Sequence, residues 1–174
     1  MLAAVNQSAE PWSGQARIRR LDAHGGPGEE CRVPVEAAAR SVAVIPLPEQ
    51  VAALADPRRE FLVADADGLR AVHFAVPDHA FAYPAAEMTT RVTPEAGGAR
   101  VTVTAHTLVR DLLLQADRLH PDARTDRGLV TLLPGETAEF TVTGWRGDGP
   151  AALRAALRCV NASASVDPVA DPVP

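Results

Sequence analysis

Between residues 100 and 144 the chain writes out two strands and the turn that reverses it. Val101, Val103 and Ala105 alternate with Thr102, Thr104 and His106, the two-residue period of a strand with one buried face. Leu132 and Leu133 run into Pro134 and Gly135. Proline fixes φ and glycine permits positive φ, so the chain must turn there. Phe140 and Val142 then alternate with Thr141 and Thr143 in a returning strand. Strands of this kind stabilise nothing alone, and their apolar faces require a second sheet.

Composition says how such a core is built. Hydrophobic residues make up 47% of the 174, yet aromatics only 4%, so Val, Leu and Ala must fill the interior. This length accommodates one or two domains. All 17 basic residues are Arg, and the net charge of −5 argues against a nucleic-acid partner, which needs a basic face. No apolar run approaches the ~20 residues of a membrane span, so no membrane partner is expected. The start, Met-Leu-Ala-Ala-Val-Asn, lacks the basic and apolar regions of a signal peptide, which points to a cytoplasmic location. It also reads as strand from Leu2, as though cut from within a longer protein. Cys31 and Cys159 are expected as free thiols rather than a disulfide. Asn6-Gln7-Ser8 and Asn161-Ala162-Ser163 match the glycosylation tripeptide, which also arises by chance.

Along the chain, strands are expected at Leu2 to Val5, around Ala16 and Ile18, and at Val33 and Val35, where Pro34 demotes the strand to an edge. Ser41 to Leu47 follows, then one helical turn or a loop over Glu49 to Ala55. A hairpin joins Phe61–Ala64 to Leu69–Val76 across Asp65-Ala66-Asp67-Gly68. Met88 to Val92 opens a second domain, with a turn from Pro94 to Gly98. Ala151 to Ala156 has helical composition, and Leu157 to Ala162 reads as the last strand. The expected organisation is all-β, with two tandem immunoglobulin-like β-sandwiches over 1–84 and 85–162 and a disordered tail over 163–174.

Val109-Arg110-Asp111, Asp126 and the Leu132-Leu133-Pro134-Gly135-Glu136 turn carry a resemblance. Together they resemble the C-terminal immunoglobulin-like domain of β-mannosidases of glycoside hydrolase family 2. The family's usual Asp-Asn-aromatic loop stands here as Asp126-Arg127-Gly128-Leu129. Ala4-Val5-Asn6, Pro11-Trp12, Ser41 to Leu47 and Glu60 to Ala75 are similar to the sandwich that precedes it in those enzymes, with Asn6-Gln7 where Asn-Asp is common. The resemblance implies a parent that removes terminal non-reducing β-D-mannose with retention, using two glutamates on a (β/α)₈ barrel. A barrel takes about 250 residues, more than this chain holds, so no catalytic residue is carried over. The implied partner is that catalytic barrel, with carbohydrate as a further candidate.

The residues themselves offer little chemistry. His24, His73, His79, His106 and His120 form no metal-ligand spacing, although His73 and His79 flank Asp78. There is no Gly-x-Ser-x-Gly elbow, dinucleotide fingerprint or phosphate loop. Glu29-Glu30 and Asp65-Asp67 read as turn carboxylates rather than the facing pair of a glycosidase. No cofactor and no metal are expected. Trp12 and Trp145 are the candidate sugar- or barrel-facing aromatics. Trp12 reads rather as a core anchor beneath its hairpin, whereas Gly144 and Gly147 leave Trp145 room to project. Two functions are in view: an accessory portion of a glycosidase, exposing an apolar patch where the barrel docks, or a stand-alone binding module with a closed surface.

Overall fold

A computed structural model describes residues 1–26, 28–146 and 149–162. The backbone gathers into two compact units that divide after Ala82. The expected tail over 163–174 lies outside the described residues.

The first unit runs β1 (Leu2–Asn6), β2 (Trp12–Asp22), β3 (Glu29–Ala37), β4 (Ser41–Ile45), the single turn α1 (Glu49–Ala52), β5 (Glu60–Ala66) and β6 (Leu69–Phe74). Four strands in the order β3-β2-β5-β6 form one antiparallel sheet, and β1 pairs with β4 in a second. Ala16 and Ile18 are buried while Arg17 between them is exposed, the alternation their spacing dictates. They pack with Val33, Val35 and Val51, and Leu2, Ala4 and Ile45 of the smaller sheet close over them. β3 is longer than its two valines suggest. Pro34 is tolerated because β3 lies at the sheet edge, where one side needs no donor. On the other face, Phe61 stacks on Phe74 at 5.1 Å between ring centroids, and Phe81 meets Phe74 edge-on at 4.8 Å. The β5–β6 hairpin closes through Asp67 and Gly68, both at positive φ (47° and 78°). That is the backbone a two-residue type I′ turn requires.

The second unit contains β7 (Met88–Glu95), β8 (Gly98–Ala105), β9 (Val109–Leu114), β10 (Arg124–Thr125), β11 (Val130–Leu132), β12 (Thr137–Thr143), α2 (Pro150–Ala155) and β13 (Leu157–Arg158). Its sheets are β10-β12-β8-β7 and β11-β9-β13, a four-plus-three antiparallel sandwich. Val101, Val103, Phe140 and Val142 face Leu112, Leu114 and Leu132 from the opposite sheet, with Leu153 of α2 sealing the core. Phe140 lies directly opposite Val101 in the β12–β8 register. The turn expected over Pro94 to Gly98 is tighter than its composition implies: Pro94 stays in β7, an edge strand, and Glu95 pairs with Gly98. The last strand is shorter than expected, since only Leu157 and Arg158 pair with β9.

The Leu-Leu-Pro-Gly-Glu turn locks β11 and β12 onto the end of β8. Gly135 takes φ 83° and donates its N–H to the Ala105 carbonyl at 2.8 Å. Ala105 returns its own N–H to the Glu136 carbonyl at 2.9 Å. The Glu136 carboxylate accepts the Leu133 N–H at 3.0 Å, so each residue type in the turn has a physical task. Phe140 has no exposed surface and is the largest fully buried side chain of this core. Phe140→Ala is expected to cost about 3–5 kcal/mol, read as a lower urea midpoint of the second unit. A loss below about 1 kcal/mol would mean that the core does not close around this ring.

Candidate functional site

The polar residues singled out by the sequence are spent on holding the fold. Asp126 sits in the loop after β10 and clasps β12: its carboxylate accepts the Thr141 N–H at 2.8 Å, and its own N–H donates to the Thr141 carbonyl at 3.2 Å. Asp111 lies in a bulge of β9, at φ 50°, where the β11 register shifts between Val130 and Leu132. Its carboxylate accepts from Arg110 at 2.8 Å and from the Thr131 hydroxyl at 3.0 Å. These carboxylates lie on different elements and are bonded to neighbouring protein groups. A glycosidase pair instead faces open space of substrate size.

The same holds in the first unit. Asp65 accepts from Arg19 at 2.7 Å and Arg70 at 2.6 Å. Burial pushes its carboxyl up, but the hydrogen bonds from the two guanidinium groups outweigh burial and hold it below the usual carboxylate range. Glu30 pairs with Arg17 at 2.5 Å on the exposed face. His106 meets the Thr89 hydroxyl at 2.6 Å on the outer face of its sheet. His79 belongs to a short 3₁₀ turn, Asp78–Ala80, and among the described residues no group of three metal-capable side chains converges.

Both glycosylation-type asparagines turn out to be clasps, a role the tripeptide pattern conceals. Asn6 Nδ2 lies 2.8 Å from the Glu10 carbonyl and 3.1 Å from those of Ala37 and Ala38, while its Oδ1 accepts from the Ser8 N–H at 3.0 Å. Asn161 donates to the Pro84 carbonyl at 2.9 Å and the Leu108 carbonyl at 2.7 Å and accepts the Arg110 N–H at 2.9 Å. Its own carbonyl takes the Ala86 N–H. One side chain thus ties the entry of the second unit, the β8–β9 loop and the last turn together. Cys31 and Cys159 are free, and burial pushes both thiols up, away from the reactive thiolate.

The two tryptophans occupy unlike places. Trp145 is 8% exposed and belongs to the core of the second unit, although it borders an open pocket with Glu95, Arg146 and Pro150. Trp12 is half-buried, packs against the first core, and its ring lies beside Gly14. It lines a groove with Leu2–Asn6, Ala64, Ala66 and Ala71, in which Arg70 is the one charged side chain.

The apolar surface concentrates on the outer face of the β1–β4 sheet. Val5, Val42 and Val44 are 62%, 59% and 59% exposed. Val5 lies opposite Val42, and Val44 opposite the exposed Ala3, so the four side chains form one block. Scattered exposed apolar residues are ordinary, whereas these four are contiguous on one sheet face. Alternation alone did not reveal it, because both faces of these strands are apolar.

No family model matches the sequence, and no curated protein is significantly similar to it. Among solved structures, the chain is similar to the crystal structure of a β-D-mannosidase from Dictyoglomus thermophilum, with a TM-score of 0.64 and 14% identity. The match covers 90% of this chain but 19% of that enzyme. At such identity the two share a fold, an all-β arrangement of sandwich sheets.

Two expectations follow from the clasps and ion pairs. Asn161→Ala should destabilise the second unit by about 2 kcal/mol, seen in urea unfolding; an unchanged midpoint would refute the clasp. Asp65 has a folded pKa below its unfolded value of ~3.9, so its stabilisation is present above that value and lost as pH falls through the folded one. Asp65→Asn should therefore cost stability near neutral pH, with the gap to the native protein closing as pH falls below the usual carboxylate range. A gap independent of pH would contradict this.

Proposed function

We propose that this chain is a non-catalytic accessory portion of a β-mannosidase-like glycoside hydrolase of family 2, whose whole-protein reaction is hydrolysis of terminal non-reducing β-D-mannose. The observation that carries the reading is the coincidence of two things. The shape follows a stretch amounting to 19% of a β-mannosidase, and the first unit bears an uncovered block of Ala3, Val5, Val42 and Val44. Burying such a block is worth roughly 25 cal/mol per Å², so a neighbouring catalytic barrel gains by resting on it. The residue-level resemblance at Arg110-Asp111, Asp126 and Leu132 to Glu136 supports the same parent.

In this role the chain moves no proton and binds no intermediate. It supplies a rigid face. Sheets make such faces well, because side-chain positions are fixed by the pleat and by cross-strand register. The barrel is the proposed partner, and the substrate pocket would lie in the barrel.

A second reading, a stand-alone carbohydrate- or protein-binding module, is favoured by one observation: Trp12 borders an open groove. Its lining is mostly alanine and valine, however, with few hydrogen-bonding groups to orient a sugar. Purified chain is expected to show no turnover of 4-nitrophenyl β-D-mannopyranoside and no calorimetric binding of mannobiose at millimolar concentration. Turnover would refute the accessory reading, and binding abolished by Trp12→Ala would establish the module instead.

A further inference from the structure

In the first unit, the outer face of the β3-β2-β5-β6 sheet carries an excess of positive charge, and cross-strand register sets it out in rows. Arg32 lies opposite Arg17, Arg17 opposite Asp65, and Asp65 opposite Arg70, so one row crosses all four strands. The next row reads Glu30, Arg19, Val63 and Val72. Together they hold four guanidinium groups against two carboxylates, in a chain whose net charge is −5. On one side the rows give way to the uncharged pair Gln15 and Pro34, and on the other to the Phe61–Phe74 stack.

The carboxylates are shared unequally. Asp65 is half-buried and engaged on both oxygens, by Arg19 and Arg70. Glu30 is exposed and bonded to Arg17. Arg32 is also exposed and makes no ion pair among the described residues. It stands directly opposite Arg17 all the same, and like charges opposite each other in a ladder cost stability. The Glu30 carboxyl registers this crowding. The hydrogen bond from Arg17, and then the charges of Arg17, Arg32 and Arg19, hold it below the usual carboxylate range. Each guanidinium offers five N–H donors in a flat fork that matches a carboxylate, and Arg17 gives one of them to Glu30. The Arg17–Arg32 pair therefore has both the charge and the donors to hold a second carboxylate.

We propose that Arg17 and Arg32 are the docking site for a protein segment of mixed but mainly acidic charge, which sets a carboxylate over this pair and a cationic side chain over Glu30. Charge complementarity selects that occupant. A uniform polyanion, such as a sulfated glycan or a nucleic acid, meets the exposed Glu30 carboxylate one row from the pair it seeks, and like charges brought together across an interface are penalised. A second copy of this face brings four more arginines with two carboxylates, so it doubles the excess instead of cancelling it. A segment richer in carboxylates than in cations cancels it. The spacing fits as well. The Arg17 and Arg19 rows are two residues apart on their strand, about 7 Å, and an extended segment repeats its same-side residues at that distance. A Glu-x-Lys stretch lying along β2 thus places one charge over each row. The inference stands whether or not the parent is a glycosidase.

The test is an NMR titration of the isotope-labelled chain with the peptide acetyl-Thr-Glu-Thr-Glu-Thr-Lys-Thr-amide at low salt. The amides around Arg17 and Arg32 should shift saturably, and the shifts should vanish when salt is raised to about 0.5 M. The same peptide with Gln in place of both Glu should leave them unmoved. Arg32→Gln should weaken binding about fivefold or more, and Arg32→Lys, which keeps the charge without the fork, should recover part of the loss. Arg32 is exposed and its replacement by Gln relieves a like-charge pair, so Tm should hold or rise. No shift at the pair, or an unchanged affinity in Arg32→Gln, would overturn the proposal. Heparin binding more tightly than the peptide would overturn it in favour of a uniform polyanion. Shifts at the pair on concentrating the chain alone would overturn it in favour of a second copy.

Discussion

A sheet with one apolar face is stable only when something covers that face, and this protein meets the requirement with small side chains. Aromatic residues are 4% of the chain, so the cores are rows of Val, Ala and Leu brought together by strand register. Each such residue contributes little alone, and each row counts only beneath a second sheet. In the second unit, three strands and α2 supply the cover, and Val101, Val103 and Phe140 lose all exposure. In the first, β1 and β4 supply part of it, and the remainder of the inner face, with the outer block at Val5 and Val42, stays open.

Polar residues enforce that layering. Asn6 and Asn161 satisfy backbone carbonyls where segments meet, Asp126 fastens a loop to β12, and Glu136 closes the turn onto β8. These groups lie at junctions where backbone donors and acceptors have left the ladders, the places where an unmade hydrogen bond costs most. The residues that make the chain resemble a β-mannosidase domain thereby explain its shape. Their carboxylates, at Asp111, Asp126 and Glu136, are each hydrogen-bonded to neighbouring protein groups.

Much of the fold was legible in the sequence because period-2 alternation and turn residues act locally. Val101 to Ala105, Phe140 to Val142, Asp67-Gly68 and Pro134-Gly135 each announce their element, and Pro34 marks an edge. Strand ends were less legible. β2 begins at Trp12, inside a stretch rich in turn formers, because pairing with Ala37 and its neighbours overrides local preference. The surface was the least legible part. Ala3-Ala4-Val5 and Val42-Ala43-Val44 are apolar on both phases, so sequence does not say which face points out. Trp145, flanked by glycines, suggested projection, yet its ring joins Leu153 in the core.

The most direct test is the mass of the polypeptide in its source cells, detected with an antibody raised against residues 100–144. A species several times heavier than 18.3 kDa is expected, with these sandwiches as one part of a glycosidase. A single species of 18.3 kDa would contradict the accessory role and leave a free-standing sandwich protein.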